Sequence, residues 1–135
     1  MDATLAVARS GLQVQVNRLA ASANNVANAS STGAVPDSSG QVPAGKPAAY
    51  QPTTAVSVAS ASGATTGYQR PSPTTFTQYQ PDSPLADDSG SVEVPNVDDV
   101  QEATTRLSAH RAYSTNLAVV RTSDQMFRTL LDTAA

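Results

Sequence analysis

Hydrophobic residues in this chain recur with helical spacing at both ends and lose that spacing in the middle. Residues 4–31 and 97–132 carry the periodicity, and all nine prolines lie from Pro36 to Pro95. In the first stretch Leu5, Ala8, Leu12, Val16, Leu19, Ala23 and Val26 follow at steps of three or four. That is one face of an α-helix at near-heptad spacing. Two successive steps of four, Ala8 to Leu12 to Val16, resemble a stutter that relaxes a left-handed supercoil locally. At helical rise the segment spans roughly 40 Å. Gly11 is a weak point inside it, about 1 kcal/mol worse than alanine. The Ser30-Ser31-Thr32-Gly33 run reads as the stop, with Gly33 near the C′ position.

The opposite face of this helix carries Gln13, Gln15, Asn17, Ser22, Asn24, Asn25 and Asn28. Between Asp2 and Asp37 the only charges are Arg9 and Arg18. A face of amides and small residues can pack on several neighbours without burying an unpaired charge.

Pro95-Asn96-Val97-Asp98-Asp99 reads as the start of the second helix, with Asn96 as N-cap and the two aspartates in the first turn. Val100, Ala103, Leu107 and His110 open its apolar stripe, and Tyr113, Leu117, Val120, Phe127 and Leu131 continue it. Val119, Met126 and Leu130 widen it into a face that suits more than one partner helix. The helix extends roughly 50 Å.

Residues 34–95 are rich in Ala, Ser, Thr, Pro and Gly. Ala55–Ala59 and Ser91–Val94 alternate as strands do, with weaker signals at Tyr68–Arg70 and Thr75–Tyr79. Residues 31–49 have no periodicity and read as a flexible connection. The chain therefore divides into an N-terminal helix (1–33), a middle segment (34–95) and a C-terminal helix (96–135). The middle is a flexible link followed by a small irregular β subdomain from about 50 to 95, with disorder as the competing reading. The fold class is mainly α.

Composition sharpens this picture. The 135 residues are one domain's worth and include only six aromatics, Tyr50, Tyr68, Phe76, Tyr79, Tyr113 and Phe127. Burying one large side chain fully contributes roughly 1.5–3 kcal/mol, so so few of them predict a marginal core and a partly unfolded isolated monomer. Charged residues are 14% of the chain and the net charge is −3, which is no basic footprint for nucleic acid. No run of about 18 apolar residues predicts a membrane span, and the N-terminus lacks the charged and apolar regions of a cleaved signal peptide.

Candidate chemistry is sparse. There is no cysteine, which excludes disulfides and thiolate metal sites. The lone histidine, His110, sits on the apolar stripe and reads as a packed or interface residue rather than a ligand. Asp87-Asp88 beside Gly90 lacks EF-hand spacing and reads as a turn. No glycine-rich phosphate motif follows a strand. The expectation is no enzyme, no cofactor, no metal and no small-molecule substrate.

Two stretches carry a family resemblance. Ser22-Ala23-Asn24-Asn25-Val26-Ala27-Asn28-Ala29-Ser30-Ser31-Thr32-Gly33 resembles the N-terminal signature of bacterial flagellar rod and hook proteins. Arg111-Ala112-Tyr113-Ser114-Thr115-Asn116 resembles the family's Arg-Ala-Tyr-x-x-Asn segment. A third, Asp82 to Asp98, looks like the segment before the C-terminal helix in proximal-rod members, whose short length also fits. The likeness covers roughly 5–33 and 82–132 and is poor from 34 to 70. Ser114 stands where a longer polar or acidic residue is common.

The resemblance implies a basal-body structural subunit, exported unfolded through the flagellar type III apparatus without a cleaved signal peptide. Its terminal helices would pair as an antiparallel coiled coil in a tubular shaft that carries torque from motor to hook. Partners would be further copies, other rod subunits, a rod-adaptor protein and the export apparatus. The seam residues expected are Leu5, Leu12, Val16, Leu19 and Val26, with Val100, Leu107, Leu117, Val120, Phe127 and Leu131. Asn24, Asn25, Asn28, Arg111, Tyr113 and Asn116 would make polar contacts between subunits, with Tyr113 also anchoring the helix pair. The competing readings are another rod or rod-adaptor subunit and, from a different class, a secreted helical binding module.

Overall fold

The computed structural model describes residues 2–134. Two long helices, α1 (Asp2–Asn28) and α2 (Asp99–Ala134), enclose four strands in sequence, β1 (Thr54–Ser60), β2 (Gly63–Gln69), β3 (Thr75–Tyr79) and β4 (Ser91–Pro95). The middle is thus ordered as two antiparallel hairpins, β1 with β2 and β3 with β4. Ser60 pairs with Gly63 across a two-residue turn, where Gly63 adopts a φ of 129°.

The helix ends differ from the sequence reading in instructive ways. Asp98, not Asn96, caps α2, since its Oδ1 accepts the N–H groups of Val100 at 2.8 Å and Gln101 at 3.0 Å. Asn96 is drawn away to the residues just before β3, donating Nδ2 to the Pro73 carbonyl at 2.8 Å and its backbone N–H to the Thr74 carbonyl at 2.9 Å. At the end of α1 the Ser31 hydroxyl and N–H both donate to the Asn28 carbonyl, at 2.7 and 3.0 Å.

Gly33 is not the left-handed cap expected of it, because its φ is not positive. It exchanges two backbone hydrogen bonds of 2.9 Å with Glu93 of β4. A Cβ at Gly33 would collide with the Ala49 backbone nitrogen. Its missing side chain lets three backbone segments meet.

The β1–β2 hairpin lies on α1. Ser10 Oγ accepts from the Ala64 N–H at 3.0 Å, Asn17 Nδ2 donates to Thr66 Oγ1 at 2.9 Å, and Arg18 Nε donates to the Ala55 carbonyl at 3.3 Å. Two polar turns repeat one geometry. In each, an aspartate Oδ1 accepts from a serine N–H and hydroxyl two residues on and from a backbone N–H four residues on, with a positive-φ glycine between. These hydrogen bonds, led by those of the Ser39 and Ser89 hydroxyls, hold the Asp37 and Asp87 carboxyls below the usual aspartate value. The Asp87 loop is a turn, as its spacing predicted.

Among the described residues the buried apolar set is Ala8, Val14, Ala21, Ala34, Ala49, Ala55, Val92 and Ala109. Six of these eight are alanine, so close approach of backbones replaces the burial of large side chains.

Candidate assembly interface

α2 packs chiefly on α1, and the contacts between them have a regular order. Asn25 Nδ2 donates to Glu102 Oε1 at 2.7 Å, and Ser22 Oγ donates to the Glu102 carbonyl at 3.3 Å. Further along, a Cβ on Gly11 would lie 2.6 Å from Asn116 Nδ2. Ala8 and Val119 line one hollow, and Thr4 and Ser123 line another. Positions 25, 11, 8 and 4 of α1 therefore meet 102, 116, 119 and 123 of α2.

The residues in this seam keep alternating steps of three and four. On α1 they are Ala8, Gly11, Gln15, Arg18, Ser22 and Asn25, and on α2 Glu102, Thr105, Ala109, Ala112, Asn116 and Val119. Apart from Val119 these are small or polar residues. Gly11 is thus no mere weak point, since it makes room for the Asn116 amide. The Gln15 side-chain oxygen is buried without a hydrogen-bond partner among the described residues, a cost of about 1–3 kcal/mol.

Asn25 sits at the centre of the best-connected polar cluster. It is 2% exposed. Its Oδ1 accepts from Tyr50 Oη at 3.0 Å and from the Thr53 N–H at 3.1 Å. Its Nδ2 donates to the Thr53 carbonyl at 2.9 Å as well as to Glu102. All four hydrogen-bonding positions of the amide are filled within one chain, joining α1, the strap before β1, and α2. Sequence reasoning had assigned Asn25 to contacts between subunits, and it missed Tyr50, Thr53 and Glu102 altogether. Burial, with the Glu102 charge adding to it, pushes the Tyr50 hydroxyl above the usual tyrosine value.

The leucine and valine stripes lie elsewhere. Leu5, Leu12, Leu19 and Val26 are half-buried on the side of α1 next to the seam, and Val16 is 44% exposed. On α2 the early stripe faces outward, with Val100 76% and Leu107 53% exposed and Ala103 and His110 also exposed. The buried positions of that half are Ala109 and, partly, Glu102, Thr105 and Ala112. Tyr113, Asn116, Leu117, Val120 and Phe127 are half-buried, while Leu131 is 70% exposed. Asn24 and Arg111 are exposed, and the half-buried Asn28 donates Nδ2 to the Asn24 carbonyl at 2.8 Å.

Among the described residues no group of three or more His, Asp or Glu is placed to hold a metal ion, and no helix is long and apolar enough to cross a membrane.

Residues 88–133 match the family model described as the flagellar basal body rod FlgEFG protein C-terminal. The chain is 39% identical to the flagellar basal-body rod protein FlgC of Escherichia coli O6:H1 over 132 residues, covering 92% of this chain and 91% of that protein. It is 38% identical to the protein of that name from Salmonella typhimurium over 132 residues, with the same coverage. The protein of that name from Agrobacterium fabrum is 31% identical over 140 residues, covering 98% of this chain and 94% of its own.

Proposed function

Because the chain belongs to the family of flagellar basal-body rod protein FlgC, we propose that its terminal helices pair as an antiparallel coiled coil, which packs against its neighbours to build the torque-bearing shaft. The chain is a structural subunit of the proximal rod of the basal body, not an enzyme, and it assembles with other rod components. The observation that carries the packing mechanism is the position of its large apolar side chains. Val100, Leu107, Met126, Leu130 and Leu131 are each more than half exposed, while the seam inside one chain consists largely of small and polar residues. A soluble monomer gains nothing from that distribution, whereas an assembled one buries it.

The finer reading follows from the same distribution. Folding is coupled to assembly, because six alanines and two valines make a thin core for a free monomer. A weakly folded chain suits export through the type III apparatus without a cleaved signal peptide. Partners in the shaft are further copies, other rod subunits and the rod-adaptor protein. Leu5, Leu12, Val16 and Leu19 on α1 and Val100, Leu107, Leu117 and Leu131 on α2 contact neighbours. Asn24, Asn28 and Arg111 supply polar contacts at the same surfaces.

The test is complementation. A tagged chain is expressed in cells lacking the native copy, and basal bodies are purified from motile cells. The tag is expected in the rod, and Leu19→Asp is expected to be exported yet leave the rod unbuilt. Motile cells whose basal bodies lack the tag would overturn the proposal, and a motile Leu19→Asp strain would remove Leu19 from the interface.

A further inference from the structure

The helix pair has two dissimilar long flanks. On one, about a quarter-turn round α1 from the α2-facing seam at 3.6 residues per turn, Leu5, Leu12 and Leu19 stand one heptad apart. The hairpin occupies the other side of α1 through Ser10 and Asn17, and its tip at Gly63 abuts Val7 and Ser10. Past that tip the second flank opens into a groove of about 500 Å³ on α2. Thr115, Ala118, Thr122 and Met126 line it, with Thr4 as its α1 wall. A second hollow of about 350 Å³ shares Thr122 and Met126 and extends the same face to Thr129 and Leu130. Among the described residues no charged side chain lines either hollow.

We infer that the leucine flank of one copy seats in this α2 groove of a second copy. The inference deepens the rod reading and rests on it. Spacing is the first argument. Thr115, Thr122 and Thr129 recur one heptad apart, as Leu5, Leu12 and Leu19 do. Copies related by rotation about a tube axis and translation along it keep one chain direction. A neighbour's α1 therefore runs opposite to this α2, just as its own partner helix does. In that sense Leu5 meets Thr129, Leu12 meets Thr122 and Leu19 meets Thr115, all in one register.

Size and charge agree. Large γ-branched side chains face a groove of threonine and alanine, in the manner of knobs entering holes, and neither heptad row includes a charge. The groove is also continuous with the seam within one chain, since Thr4, Val119 and the 7%-exposed Ser123 belong to both. A knob on one flank and a groove on the other make a head-to-tail contact. Such contacts generate rings or open helical assemblies rather than closed dimers.

The chain has no cysteine, so introduced thiols report on this contact alone. Cells lacking the native copy co-express two differently tagged chains, one Leu12→Cys and the other Thr122→Cys. Basal bodies from motile cells are then oxidised with copper phenanthroline. The expected product is a disulfide joining the two tags, at least tenfold above that obtained when Ser57→Cys, on the exposed face of β1, replaces Leu12→Cys. A mixed-tag yield no higher than that control, or cross-linking of Leu12→Cys mainly to a different rod subunit, would overturn the docking. If Leu12→Cys abolishes motility, Leu19→Cys with Thr115→Cys tests the same register. Absence of both tags from the basal bodies of motile cells would overturn the rod reading itself, which separates the two failures.

Discussion

Replacing Asn25 should loosen the junction of both helices and the middle segment at once. Its amide makes four hydrogen bonds within the chain, three to neutral groups and one to the Glu102 carboxylate. Neutral bonds contribute about 1 kcal/mol each and charged ones about 1.5–3 kcal/mol. Tyr50, Thr53 and Glu102 are half-buried, so water re-pairs part of what Asn25→Ala leaves behind. A loss of about 2–3 kcal/mol is expected, or about 1–2 M in urea midpoint for a chain of this size. Circular dichroism against urea measures it, with trimethylamine N-oxide added to hold the chain folded at the start of each titration.

Asn25→Asp discriminates further. It keeps both acceptor contacts but sets a carboxylate beside that of Glu102, a repulsion of up to about 4 kcal/mol near the surface. Like charges raise one carboxyl pKa in the folded state above its unfolded value. The penalty is therefore absent below the unfolded carboxylate range and grows as pH rises through it. The urea midpoint of Asn25→Asp should thus fall between pH 4 and pH 7, and adding Glu102→Gln should restore it. An Asn25→Ala loss under about 0.5 kcal/mol, or an Asn25→Asp midpoint flat with pH, would refute the clamp.

Three other outcomes follow from the same geometry. Gly33→Ala drives a methyl into the Ala49 backbone and should cost about 1–3 kcal/mol or more; an unchanged urea midpoint would contradict it. The lowered Asp87 and Asp37 carboxyls bind fewer protons folded than unfolded, so their contribution is present above the unfolded pKa near 3.8 and lost as pH falls below it; Asp87→Asn should flatten the acid side of the stability–pH curve. Val100→Ser with Leu107→Ser removes exposed apolar groups, so monomer stability should stay within about 0.5 kcal/mol while motility of complemented cells is lost; a destabilised monomer would place those residues in the core.

The two helices were legible because their apolar residues repeat at a helical period over seven or more turns, a signal no loop imitates. The strands at 55–59 and 91–94 were legible from alternation, and the one at 75–79 gave only a weaker signal. The partner of β1 was not, since Ala61-Ser62 is a weak hairpin signal and β2 is Gly- and Thr-rich. Asn96 was misread as the cap because two good capping residues lie close together, and only the residues just before β3 show which of them is taken. The seam within one chain was not legible for a deeper reason. Hydrophobic pattern picks out the largest residues, whereas two helices in one chain approach most closely through the smallest. The heptad through Ala8, Gly11, Gln15, Ser22 and Asn25 was present in the sequence, but its polar members carry no hydrophobic signal until Glu102, Thr53 and Tyr50 are placed around them.

That division of labour explains why the chain has two heptad systems rather than one. A seam of alanine, glycine, serine and amide yields little free energy from apolar burial, at about 25 cal/mol per Å², but it fixes register, because each polar atom has few places to pair. The leucines and valines would stabilise a monomer more if turned inward. Left half-exposed or exposed, their burial is available only when neighbours arrive, and binding that favours the folded form over the unfolded one transfers stability to the assembly. A single chain is thereby marked by its polar seam for one internal alignment and by its apolar flanks for a structure larger than itself.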